Sequence, residues 1–135
     1  MAVIVFAAIA HAQMAARSRE LDVAEGFLVQ GTPQGYADAL TAARAFLARP
    51  RVTRADSARA LEILAVAHFK GDGPAVRTER TMAVLRALVR LQPLAVFPEA
   101  IASSVVDSLL NEARKTTLYV RAFPAPAYDL VAADG

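Results

Sequence analysis

The spacing of apolar and polar residues changes character twice along the chain, and the changes divide it into three parts. An unbroken apolar run, Ala2–Ala10, comes first. It has the length of a signal-peptide h-region and is too short to span a bilayer. Ala10-His11-Ala12 then sets small residues at both positions of an A-x-A cleavage site. Residues 1–12 are therefore expected to be a signal-peptide-like segment, and the protein to be exported, periplasmic or cell-envelope associated. Residues 13–116 carry helical spacing and form the expected helical domain. From Thr116 to Phe123 the chain turns β-branched and aromatic, which reads as a strand. Residues 117–135 are expected to begin a β module or to form a tail, with a second short β run over Tyr128–Ala132.

Within the helical part the punctuation predicts about five helices. Leu21, Ala24, Phe27 and Leu28 share one side of a first helix that reaches Gln30. Gly31-Thr32-Pro33 stops it and starts the next: Gly after the last turn, Thr as N-cap, Pro at the first helical position. The second helix runs from about Pro33 to Ala48, with Tyr36, Leu40, Ala43 and Leu47 in one stripe and Phe46 beside it. A basic connection leads to Asp56 or Ser57 as the next N-cap. The third helix, about Ser57–Lys70, is apolar nearly all round and should be covered on more than one side. After Gly71-Asp72-Gly73-Pro74, a fourth helix is expected over about Thr78–Leu91. Gln92–Pro98 reads as a loop anchored by Leu94, Val96 and Phe97. A fifth helix should start near Glu99, with Ile101, Val105, Leu109 and Ala113 in an i, i+4 ladder. The expected core centres on Leu61, Leu64, Phe69, Leu85 and Leu88. The fold class is thus all-α: an antiparallel helix-hairpin array with a short C-terminal β segment.

Composition supports this and narrows the chemistry. Of 135 residues 31 are Ala and only 6 Gly, which favours packed helices over a sheet-rich barrel. The net charge of +2 argues against a strongly basic nucleic-acid binder. With no Cys, disulfides, thiolate metal sites and Cys nucleophiles are excluded. Two His leave a zinc site dependent on carboxylates.

The candidate catalytic groups do not assemble. His68 needs a nucleophile and an orienting acid; Asp72 lies past the expected helix end, and Glu62 falls on the opposite face. His68 reads instead as a packing residue. Ser103, Ser104 and Ser108 have no His partner on their helix. Gly71-Asp72-Gly73 lacks the spacing of a calcium loop, and Gly31…Gly35 follows a helix, so it is no dinucleotide fingerprint. No catalytic, cofactor-binding or metal-ligating residue is assigned, and no cofactor is expected. Arg44, Arg49, Arg51, Arg54 and Arg59 gather near a single acid, Asp56. Within this group Arg49, Arg51 and Arg54 are the candidate contacts to an anionic partner, including weak contact with a membrane surface.

Several short stretches resemble tetratricopeptide repeats (TPR). Gly35-Tyr36-Ala37-Asp38-Ala39-Leu40 resembles the start of a second repeat helix, where small Ala lets its partner approach. Leu64-Ala65 with His68-Phe69 is similar to the Leu-Gly…Tyr-Tyr signature of a first repeat helix. Ala87-Leu88-Val89-Arg90-Leu91-Gln92-Pro93 is similar to the Ala-Leu-x-Leu-x-Pro ending. The resemblance covers about residues 20–93. The stretch from Leu91 to Arg114 resembles the tail of exported bacterial TPR-like proteins, and 117–135 resembles the opening of a PEGA-type β module. These resemblances imply a non-enzymatic scaffold of the cell envelope that binds a protein or peptide partner through a helical-repeat surface, with no nucleic acid expected. The alternative from another class is a cytoplasmic helical nucleic-acid-binding domain that uses the Arg49–Arg59 basic corner.

Overall fold

Apolar residues three and four apart put Leu21, Ala24 and Leu28 in one buried stripe, and residues 19–29 form helix α1 as that spacing requires. The computed structural model describes residues 19–122, with side chains through Leu118. The signal-like segment, the β run over Tyr128–Ala132 and the PEGA-like ending beyond residue 122 lie outside the described residues. Gly31 takes φ +68°, a left-handed conformation that closes α1 with little steric cost. Thr32 then caps α2 (Pro33–Leu47), its Oγ1 accepting from the Gly35 amide at 3.0 Å.

Helix α3 spans Arg54–Gly71, α4 Pro74–Leu91 and α5 Ser104–Ala122. Successive helices pack as hairpins, and α3 also touches α5, so α3 is the central rod. That position explains its sequence: nine of its residues are buried, including the unbroken run Glu62–His68. Ala39, Ala43 and Phe46 from α2 and Leu85, Leu88 and Val89 from α4 close over it. The described residues are all-helical, with five helices and no strand.

Several expected boundaries move. Helix α3 starts one turn early because Thr53, not Asp56 or Ser57, is the cap; its Oγ1 accepts from the Asp56 amide at 3.1 Å. Helix α4 starts at Pro74 rather than Thr78, since Pro has no amide to leave unpaired at the first helical position. Helix α5 starts at Ser104, not near Glu99, and buries Val106, Leu110 and Ala113 while Val105 is exposed. The expected strand at Thr116 is helical through Ala122. Thr116 Oγ1 donates back to the Glu112 carbonyl at 3.0 Å, and Leu118 packs on the core, so the helical period simply continues.

In the expected core Leu64, Leu85 and Leu88 are buried, while Leu61 and Phe69 are only partly covered. Of the three loop anchors only Phe97 is buried, beside Ala95 and Ile101; Leu94 and Val96 face outward. Arg114 of α5 holds this loop by donating to the carbonyls of Pro93, at 3.0 Å, and Ala95.

Candidate functional site

The five arginines that gather in sequence do not form one corner in space. Arg59 turns to α1, where its Nε donates to Glu25 at 2.8 Å and its Nη2 pairs with Asp22. The Glu25 hydrogen bond and the Asp22 charge hold Arg59 in its charged form against the cost of its burial. Arg44 reaches α3, with Nη2 3.5 Å from His68 Nε2. Arg49 follows α2, donates to Glu20 at 2.7 Å and lies over the Phe46 ring. The expectation of one acid for five cations is therefore corrected: α1 supplies three more, because antiparallel packing brings Glu20, Asp22 and Glu25 alongside.

Arg51 and Arg54 differ from the rest. Neither has a hydrogen-bond or ion-pair partner among the described residues, and both are exposed. Arg51 has φ +59°, a left-handed backbone that an L side chain rarely adopts. Arg54 opens α3, where the positive pole of the helix opposes a cation. Arg51 lines a recess of about 230 Å³ with Phe46, Pro50 and Val52. Arg54 lines another of about 640 Å³ with Ala55 from α3 and Leu91, Pro93 and Leu94 from the end of α4.

His68 is 4 % exposed, as a packing residue should be, yet it is not isolated from acids. Asp72 is the C-cap of α3, and its carboxylate sits 2.8 Å from His68 Nδ1. Asp72 does lie just past the helix end, but as the cap it still meets His68, so the two are partners; the i, i+4 spacing was the signal. Arg44 and Asp72 thus flank the ring on its two nitrogens, at 3.5 and 2.8 Å. Arg80 lies 3.5 Å from the other Asp72 oxygen. With both ring nitrogens engaged, this group ties α2, α3 and α4 together at the Asp72-Gly73 turn.

Glu62, set aside in the sequence as an acid for His68, is buried, which the sequence reading did not anticipate. It is 8 % exposed on α3, and burial pushes its carboxyl up to about 7. Nearby Glu25 adds to that rise, and Arg59 opposes it. A lone Glu inside an otherwise apolar helix was the available clue. Among the described residues, no group of three or more His, Asp or Glu is placed to hold a metal ion. No described helix is long and apolar enough to cross a membrane.

One further concavity belongs to the first hairpin. A furrow of about 270 Å³ runs between α1 and α2, lined by Glu20, Val23, Ala42, Ala45, Phe46 and Arg49. Comparison with protein-family models, with curated proteins and with solved structures finds no match.

Proposed function

We propose that the chain is a non-enzymatic, TPR-like module of the bacterial cell envelope that binds a protein or peptide partner on its helical surface. The observation that carries this reading is the α1–α2 furrow. Ala42 and Ala45 leave a gap between the two helices, Phe46 floors it, and Val23 stands at its edge with 57 % of its surface exposed. The Glu20–Arg49 ion pair closes one end with hydrogen-bonding groups. An apolar side chain of a partner segment fits such a gap, because it gains apolar burial there without stranding a polar group.

The engaged state of both His68 nitrogens supports a binding role over a catalytic one. The nucleic-acid alternative loses three of the five cations of the basic corner, since Arg44, Arg49 and Arg59 already answer His68, Glu20, Asp22 and Glu25.

Site-specific photocrosslinking in cells tests the reading. A probe at Val23 should yield one discrete adduct in the envelope fraction, and a probe at exposed Arg86 on α4 should not. Ala45→Glu, which fills the furrow with a charge, should abolish the adduct. Recovery of the chain in the cytosol, or an adduct indifferent to Ala45→Glu, would contradict it.

A further inference from the structure

We propose that the end of the array formed by the α2–α3 connection and the start of the α4–α5 loop docks on an anionic lipid bilayer. Arg51 and Arg54 meet headgroup phosphates, and Leu94 enters the interface.

Three observations converge there. First, both cations stand where folding gains nothing from them. Arg51 occupies a left-handed position that Gly would fill with less strain, and Arg54 faces the positive pole of α3. Neither has a partner among the described residues, although Arg49 and Arg59 on either side do. Backbone strain around an unpaired cation points to a charge kept for something outside the chain. Second, Leu94 lies across the 640 Å³ recess from Arg54 and is 84 % exposed, with Val96 two residues on at 76 %. A projecting aliphatic side chain next to guanidinium groups matches the layered chemistry of a bilayer surface, with phosphate above acyl chain. Third, the Glu20–Arg49 bond fixes the start of α1 at this same end. Helix α1, where the described residues begin, therefore starts at the same end as Arg51. A flat membrane explains cations and aliphatics on one end, whereas base stacking would call for aromatic side chains among the cations.

This surface keeps two of the three arginines singled out from the sequence and releases Arg49 to its structural role. Val23 and Ala45 take no part in it, so failure of the furrow reading and failure of this one are separable.

Co-sedimentation of the full chain with phosphatidylcholine vesicles, with and without phosphatidylglycerol, tests the proposal. Binding should be tighter on the phosphatidylglycerol vesicles and should weaken as salt is raised. Each basic side chain near an anionic surface is worth about fivefold in partition, so Arg51→Gln with Arg54→Gln should remove roughly 25-fold. Leu94→Ser should weaken binding to both vesicle types. The charge-matched pair Lys70→Gln and Arg86→Gln should leave it unchanged, and helical circular dichroism should verify that every variant is folded. Absence of phosphatidylglycerol dependence in the parent chain would overturn the proposal. So would equal losses in the two Gln pairs, or binding of duplex DNA that needs Arg51 and Arg54 but not Leu94.

Discussion

The two ends of the helical array use the same residue types for opposite purposes. At the end where α1 turns into α2 and α3 into α4, the charges around Asp72 are spent on the fold. Asp72 takes His68 at 2.8 Å and Arg80 at 3.5 Å, while Arg77 donates to the Asp72 carbonyl and stacks over Phe69. Backbones approach so closely that a Cβ on Gly35 would come within 2.4 Å of the Phe27 carbonyl oxygen. At the other end Arg51 and Arg54 have no partner among the described residues, and Leu94 projects into solvent. An arginine count alone cannot separate these cases; the partners do.

The strongest way to break the contrast is at the tied end. Ala in place of Gly early in an exposed helix ordinarily stabilises by about 1 kcal/mol. Gly35→Ala should instead cost about 3 kcal/mol, because the atom met is backbone and cannot swing aside. Gly73→Ala, with nothing within 4 Å of the new Cβ, should be close to neutral in the same urea titration. A neutral Gly35→Ala would mean that α1 does not press on α2 as described.

Between the ends, Glu62 offers a test by pH. Its carboxyl, raised from 4.5 to about 7, holds a proton in the folded chain that the unfolded chain releases earlier. Stability should therefore fall as pH rises from about 4.5 to about 7 and remain lowered above that. Glu62→Gln should flatten this slope and stabilise the chain by about 2 kcal/mol at alkaline pH, with little change in mild acid. Denaturation midpoints across pH give the comparison, and an unchanged slope would show that Glu62 is hydrated. Smaller still, Asp72→Ala should cost about 1–2 kcal/mol by leaving the buried His68 Nδ1 without its acceptor.

How much of this was legible in the sequence depends on where the signal sat. Gly31-Thr32-Pro33 spelled out the α1–α2 turn, since Gly, Thr and Pro each act through local backbone chemistry. The same logic applied to Pro74 and was missed, because Gly71-Asp72-Gly73 looked like a longer break than the two residues it makes. Thr116–Ala122 misled through propensity: its β-branched and aromatic residues suit a strand, but the helical ladder Val106, Leu110, Ala113 continues to Leu118 and tertiary packing decides. The α1 acids that neutralise Arg49 and Arg59 lie 29 to 37 residues away in sequence. No local pattern reports a pairing of that range. Which arginines stay unpaired is therefore a property of the fold, although the group that contains them was visible from its spacing.

The most direct measurement pairs stability with binding in one variant, Arg51→Gly. Gly relieves the left-handed backbone at φ +59°, so the chain should gain about 1 kcal/mol and its Tm should rise by roughly 4–8 °C. The same change should weaken binding to phosphatidylglycerol vesicles about fivefold, since one of the two cations assigned to the docking surface is gone. A variant that melts lower, or that binds those vesicles as well as the parent chain does, would contradict the division of the array into a tied end and an interacting end.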